Sequence, residues 1–152
     1  MNFDLPTWML EFINNYGTIA LFVTSFIAAT ILPASSAAIL VAALAVGAAP
    51  VPSLIACSIG NSAGCAFNYG LGYIIGKPLI PKLEKSKGGK KAIHYIQKYG
   101  TWSLLISWTP ILGDPITIAA GIFRINIIKF VIIVFSLRII GYCIIAAYFL
   151  RA

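Results

Sequence analysis

Two charged residues, Asp114 and Arg138, lie within otherwise apolar sequence and are the strongest candidates for chemistry. Asp114 precedes Pro115, and this pair suits the first turn of a helix. One reading of the carboxylate is therefore a helix cap with no further role. Arg138 lies near the middle of the apolar stretch 126–150. Because a charge in hydrocarbon is costly, we expect Arg138 to face the protein interior and to interact with Asp114 or a bound anion. The alternative for Arg138 is snorkelling to the membrane interface.

Neutral polar residues supply further hydrogen-bonding groups. Ser35 and Ser36 follow Pro33, where their hydroxyls can cap the start of a helix or accompany an anion bound there. Asn61 and Asn68 are seven residues apart and share a helical face, from which they can hydrogen-bond to another helix or line a cavity. We predict a substrate-binding site formed by Ser35, Ser36, Asn61, Asn68, Asp114 and Arg138.

The groups that most enzymes need are not found in the sequence. It contains no evident nucleophile–base pair, no paired carboxylates and no phosphate-binding loop. The single histidine, His94, lies among lysines, and the three cysteines lie in apolar segments. We therefore expect a protein that is not an enzyme and that holds no metal ion or cofactor.

The composition places this chemistry in a membrane. Of the 152 residues, 60% are hydrophobic and 10% are charged, whereas soluble domains average about 45–50% apolar and about 25% charged residues. No charged residue lies between Glu11 and Lys77. These values exclude a soluble enzyme, a nucleic-acid-binding domain, a disordered tail and a secreted disulfide scaffold. We predict an all-α integral membrane protein.

A basic segment at 77–98 carries seven lysines against one acid, Glu84. The positive-inside rule predicts that this segment is cytoplasmic, and we expect no nucleic-acid partner. Residues 90–99, which follow an expected break at Gly88-Gly89, form an amphipathic stretch that could lie on anionic lipid. Arg124 and Lys129 either anchor the following span at the interface or bind headgroups, and anchoring is the favoured reading. The N-terminal residues lack the basic region of a cleaved signal peptide.

Proline-containing breaks divide the chain, which we read as one membrane domain over 1–152. The first half, 12–76, combines a hairpin of two helices with a span, and the second half, 99–150, repeats this plan. A span needs about 20 apolar residues, so the two short helices of the second hairpin are expected to be re-entrant. The first hairpin is expected to be re-entrant or nearly so, because its proline-containing break carries no charge and can lie at membrane depth. The expected helices are 12–32, 34–49, 53–76, 99–112, 115–123 and 126–150, and the hairpin tips contain Pro33, Pro110, Gly113 and Pro115.

The two halves also resemble each other in sequence. Tyr16-Gly17-Thr18 is matched by Tyr99-Gly100-Thr101. With the basic segment inside the cell, the halves would be inserted in opposite orientations, as in transporters whose binding site lies where broken helices meet. Within the first half, Gly60, Gly64, Asn68, Gly72 and Gly76 recur every four residues. This spacing predicts a seam of close helix packing.

Three segments resemble the YqaA-type branch of the DedA/VTT (SNARE-associated Golgi protein) superfamily. They are residues 26–36, residues 60–69 and the run from Tyr99-Gly100 through Trp108-Thr109-Pro110 and Gly113-Asp114-Pro115 to Gly121. The resemblance implies a multi-pass protein of a bacterial inner membrane with two opposed re-entrant hairpins. It also implies lipid scrambling or transport of phospholipids or undecaprenyl phosphate.

The chain departs from the superfamily pattern at the hairpins. Ala28 and Ala37 stand where relatives usually carry an acid, and Ser107 and Gly113 stand where typical members carry arginines. The resemblance therefore does not imply proton coupling through the first hairpin. It leaves Asp114 and Arg138 as the charged residues that could carry a shared role.

Translocation of a phospholipid or polyprenyl-phosphate headgroup is the leading functional hypothesis, with membrane lipids, including anionic ones, as partners. Arg138 would balance the phosphate, and the serines and asparagines would offer neutral hydrogen bonds. A small-solute or ion transporter is the alternative, and a structural subunit that packs through its glycine seam is a third reading. A homo-oligomer is compatible with the sequence.

Overall fold

The computed structural model describes residues 7–30, 36–107, 109 and 112–151. These residues are helical or in short turns and contain no strand, in agreement with the all-α class. The helices are α1 (Thr7–Thr30), α2 (Ser36–Ala45), α3 (Pro50–Ile75), α4 (Ile80–Leu83), α5 (Lys87–Tyr99), α6 (Gly113–Ile122) and α7 (Ile127–Arg151). Two 3₁₀ helices, Lys77–Leu79 and Gly100–Ile106, precede α4 and α6 respectively.

The chain forms two compact units, and their boundaries fall inside helices α3 and α7. The first unit comprises Met1–Gly64 and Arg138–Ala152, and the second comprises Cys65–Leu137. Each unit has its own apolar core.

In the first unit, α1 and α2 pack through small and branched side chains, including Ala20, Leu21, Ile39 and Leu40. Helix α3 approaches the backbone of α1 at its glycines. A Cβ atom on Gly60 would lie 2.3 Å from the carbonyl oxygen of Phe22. No side chain fits in that space, so the helices can pack at this distance only because position 60 is glycine.

In the second unit, α3 and α6 approach each other in the same way. A Cβ atom on Gly72 would lie 2.2 Å from the carbonyl oxygen of Ile118, and one on Gly121 would lie 2.0 Å from the carbonyl oxygen of Tyr69. The predicted seam is therefore a packing surface at Gly60 and Gly72, and also at Gly64, where a Cβ atom would lie 2.6 Å from the Cβ atom of Ala29. Gly76 differs, because it has a positive φ of 67° and ends α3 without close neighbours.

The basic segment folds onto the second unit through α5. Ala92, Ile93 and Ile96 are buried, whereas all the lysines of this segment are exposed. The sequence suggests a break at Gly88-Gly89, but both glycines lie inside α5. Ser86 caps the helix by accepting a 2.9 Å hydrogen bond from the Gly89 N–H, and a Cβ on Gly89 would meet the carbonyl oxygen of Leu83. These glycines therefore allow a close contact and do not interrupt the helix.

The start of the predicted second hairpin differs from the helix expected over 99–112. Helix α5 continues to Tyr99, and a 3₁₀ helix follows from Gly100. Gly100 turns the chain with φ 54° and ψ −128°. Glycine adopts this backbone conformation at little cost, whereas residues with a Cβ rarely do.

The matched glycine of the first half has the same unusual backbone. Gly17 kinks α1 with φ 56° and ψ −125°, within a few degrees of the Gly100 angles. The sequence alone matches these two glycines to each other, because each lies between a tyrosine and a threonine. The same rare backbone conformation therefore occurs at two positions that the sequence pattern pairs.

Helix α7 has the length and composition of a membrane span. Its segment Ile127–Tyr148 has a mean hydropathy of 2.4, and only 22% of its most apolar stretch is buried. An apolar helix that is mostly exposed is not the core helix of a soluble protein. Among the described helices, only α7 is both long enough and apolar enough to cross a membrane. Helix α3 has 26 residues but carries more small and polar side chains, and its crossing of the membrane stays a prediction.

Replacing Gly72 by alanine should destabilise the protein by about 1–3 kcal/mol, because the new methyl group overlaps the Ile118 carbonyl. Gly70 lies on the same helix with nothing within 4 Å of a Cβ atom, so Gly70→Ala is the matched control and should be neutral or stabilising. Thermal unfolding in detergent, followed by circular dichroism, measures both effects. Equal melting temperatures for the two variants would contradict the packing described here.

Candidate functional site

A buried hydrogen bond joins the start of α2 to the middle of α3. The Nδ2 atom of Asn61 donates to the Oγ atom of Ser36 over 2.6 Å, and both residues are buried. Ser36 is the first residue of α2, directly after the predicted hairpin tip. Pro33 and Ser35 of the predicted site lie outside the described residues. The structure thus brings together two of the predicted site residues that are far apart in the sequence.

Further polar side chains are buried in the first unit. Thr24 donates its hydroxyl hydrogen to the carbonyl oxygen of Ala20 over 2.7 Å. Ser58 and Ser62 are buried on α3, and within the described part of the chain their hydroxyls make no hydrogen bond. A buried hydroxyl without a partner is costly in an apolar core. The sequence analysis missed these serines, although Ser58, Asn61 and Ser62 have the three- and four-residue spacing of one helical face.

Arg138 lies on the same face of α7 as four buried residues. Phe130, Val134, Tyr142 and Ala146, which precede and follow it at four-residue intervals, are all buried. Residues at this spacing lie on one helical face, so Arg138 belongs to the protein-facing side of the helix. Its side chain is partly buried, with the Nε atom out of solvent contact. Arg138 is also halfway along the apolar stretch Ile127–Tyr148, and it belongs to the first unit with Ser36 and Asn61.

Asp114 belongs to the second unit and does not occupy the cap position. Helix α6 begins at Gly113 after Leu112, and no side chain caps it. The Asp114 carboxylate therefore lies within the first turn, where a negative charge interacts favourably with the helix dipole. Its carbonyl oxygen accepts a 2.7 Å hydrogen bond from the Thr117 hydroxyl. The predicted pairing of Asp114 with Arg138 stays a prediction.

The remaining predicted residues are divided between the units. Asn68 lies in the second unit and is buried, as is Gly113, whereas Pro115 is partly buried. Asn61 and Asn68 therefore share α3 but belong to different units. Pro110 lies outside the described residues. Within the residues that the structure describes, no three histidine, cysteine or acidic side chains are grouped so that they could hold a metal ion.

Comparison with known proteins identifies the family. Residues 32–150 match the VTT domain. The chain belongs to the VTT domain family. It is 36% identical over 108 residues to the inner membrane protein YqaA of Escherichia coli strain K12, which covers 70% of this chain and 72% of that protein. The resemblance to the YqaA-type branch of the DedA/VTT superfamily is therefore confirmed.

Two further relatives of this VTT domain protein match over longer stretches of the chain. An uncharacterized protein of Haemophilus influenzae is 33% identical over 132 residues, which are 80% of both chains. One from the archaeon Methanocaldococcus jannaschii is 27% identical over 134 residues, 88% of this chain and 84% of that one. No solved structure matches the chain. The family, the apolar composition and the exposed apolar span together establish a membrane protein.

Breaking the Ser36–Asn61 hydrogen bond should destabilise this VTT domain protein. Asn61→Ala should lower the free energy of unfolding by about 1–3 kcal/mol, because it leaves a buried hydroxyl without its partner. A double-mutant cycle with Ser36→Ala should give a coupling free energy of about 1 kcal/mol. Unfolding in detergent measures each variant.

Ser58→Ala provides the matched control for the cycle. Ser58 is as buried as Ser36, but its hydroxyl makes no hydrogen bond within the described residues. Its removal should change the free energy of unfolding by less than about 0.5 kcal/mol or stabilise the protein. Full additivity of the Ser36 and Asn61 substitutions would show that their hydrogen bond contributes nothing.

Proposed function

We propose that this protein translocates lipids by carrying a phosphate-bearing headgroup past Arg138. The observation that carries this proposal is the position of Arg138, halfway along an apolar 22-residue stretch and on the buried face of its helix. A guanidinium remains charged under all physiological conditions and binds phosphate through two parallel hydrogen bonds. In surroundings of low dielectric constant its attraction for an anion is much stronger than in water.

The neutral groups of the first unit suit a transient ligand. Ser36, Asn61 and the buried serines of α3 offer hydroxyl and amide groups without a further fixed charge. Such groups replace part of the water around a phosphate while binding it less strongly than a second cation would. Because lipid exchange between leaflets runs down a concentration difference, lowering the desolvation barrier is sufficient and no energy source is required.

A repeated, inverted architecture fits this proposal. Gly17 and Gly100 share a rare backbone conformation and lie at the centre of the matched tripeptides of the two halves. An odd number of membrane crossings between them would insert the halves in opposite orientations, which is the arrangement of many transporters. Re-entrant hairpins would follow from the short helices, because α2 has 10 residues, and a span needs about 20.

The exposed lysines of the basic segment support the proposed orientation. All of them point to solvent in the second unit, as expected for a cytoplasmic loop that obeys the positive-inside rule. We place the protein in the inner membrane of a bacterium, the location that its Escherichia coli relative carries in its name. In that orientation residues 77–98 face the cytoplasm.

Replacing Arg138 by glutamine should slow lipid exchange by at least about tenfold, because the anion loses its counter-charge in the membrane. The assay uses liposomes with fluorescent phosphatidylglycerol, whose outer-leaflet copies are quenched by a reductant that does not cross membranes. Lys129→Gln removes an exposed cation from the same helix and should leave exchange unchanged.

The variants must first unfold at similar temperatures, so that a misfolded protein is not scored as inactive. Arg138→Lys keeps the charge and should retain part of the exchange. Full exchange by Arg138→Gln would remove Arg138 from the mechanism. Uptake of a small solute without lipid exchange would instead support a solute transporter. Inactivity in both assays, with stable co-purification of another subunit, would support a structural role.

A further inference from the structure

A cavity of about 540 Å³ lies in the second unit beside the turn that joins α6 to α7. None of the residues assigned above to translocation lines it. Its wall combines aromatic, cationic, amide and apolar side chains. They include Tyr69, Tyr73, Ile74, Arg124, Asn126 and Ile127.

Arg124 has a backbone conformation that usually belongs to glycine. Its φ is 52°, at the position that follows the last turn of α6. The N–H of Arg124 donates to the Gly121 carbonyl over 3.0 Å, and the N–H of Ile125 donates to the Ala120 carbonyl over 2.9 Å. This pattern is the Schellman motif, in which the left-handed residue is most often glycine. An arginine at this position makes the backbone less stable than glycine would, so its side chain is a candidate for function.

Aromatic contacts fix both the turn and the cation. The guanidinium of Arg124 lies 4.8 Å from the ring centre of Tyr73, close enough for a cation–π interaction. The Tyr69 hydroxyl donates to the Ile125 carbonyl over 2.5 Å. The Tyr69 ring also packs 4.5 Å from that of Phe130, between ring centres. Arg124 is therefore held at the cavity, although it is exposed to solvent.

The polar groups of the cavity favour an anion. The Oδ1 atom of Asn126 accepts hydrogen bonds of 2.9 Å from the Ile128 N–H and 3.3 Å from the Lys129 N–H. With its oxygen engaged, the amide can offer a ligand only its N–H donors. Arg124 likewise offers only donors. None of the described residues that line the cavity is acidic.

The apolar part of the wall favours an amphiphile over a small soluble anion. Ile74 is 83% exposed and Ile127 is 50% exposed, and both line the cavity. Exposed isoleucines make no favourable contact with free phosphate, but they can pack against the glycerol backbone and upper acyl chains of a lipid. Arg124 lies just before the apolar stretch that begins at Ile127. This is where a membrane helix begins and where headgroups are found.

We propose that this cavity is a binding site for an anionic phospholipid, with Arg124 and Asn126 contacting the phosphate and Ile74 and Ile127 contacting the chains. The site shares no residue with those that we assign to translocation. Binding at equilibrium in detergent does not require lipid movement. The two proposals can therefore fail independently.

Native mass spectrometry of the full chain in non-ionic detergent tests the site, with phosphatidylglycerol and phosphatidylcholine titrated separately. Phosphatidylglycerol should bind more tightly, and Arg124→Gly should weaken its binding about tenfold. Glycine suits the left-handed position better than arginine does, so this variant should unfold at the same or a higher temperature. Lys91→Gln, which removes an exposed cation of α5 outside the cavity, is the matched control and should bind normally.

Competition with inorganic phosphate distinguishes a lipid from a soluble anion. Millimolar phosphate should leave phosphatidylglycerol bound, because it cannot replace the apolar contacts. Ile74→Asn should weaken phosphatidylglycerol binding while keeping the charge of Arg124. Unchanged binding by Arg124→Gly, an equal loss in Lys91→Gln, or full displacement by phosphate would each overturn the proposal.

Discussion

The close approach of helix backbones at glycines of α3 is the constraint on which both units depend. Gly60 lies against the Phe22 backbone in the first unit, and Gly72 lies against the Ile118 backbone in the second. Between helices in a membrane there is little hydrophobic driving force, because lipid tails are as apolar as leucine. Dispersion contacts and hydrogen bonds must hold the helices together, and both require short distances. The same proximity allows Asn61 to reach Ser36.

Helix periodicity made much of this fold predictable from the sequence. The four-residue glycine spacing on α3 correctly indicated a packing seam at Gly60 and Gly72, and the apolar stretch at 126–150 corresponds to α7. Local propensity was misleading where tertiary contacts decide the structure. Gly88-Gly89 resembles a helix break, but Gly89 is needed because the Leu83 carbonyl occupies the space of a side chain. The 3₁₀ helix from Gly100 likewise follows an apolar pattern that also suits an α-helix.

The candidate site was only partly predictable. Ser36 and Asn61 were chosen for their position and spacing, but their hydrogen bond depends on how α2 packs against α3. The interior orientation of Arg138 was predictable because a charge in hydrocarbon is costly, but α7 is apolar on all faces, so the residues that share its buried face are identified only by the fold. The role of Arg124 could not be predicted from the sequence. Its left-handed backbone and its contact with Tyr73 exist only in the folded turn.

The length of α2 has a consequence for how the protein is made. A helix of 10 residues is about 15 Å long and cannot cross a hydrocarbon layer of about 30 Å. Its buried end carries Ser36, whose hydroxyl accepts a hydrogen bond from a residue that is synthesised later. In the re-entrant arrangement that we propose, backbone groups at that end would be unsatisfied in lipid until α3 has been synthesised. In that arrangement α2 would reach its final position only after α3 has been synthesised, so the first hairpin would insert together with α3 rather than helix by helix.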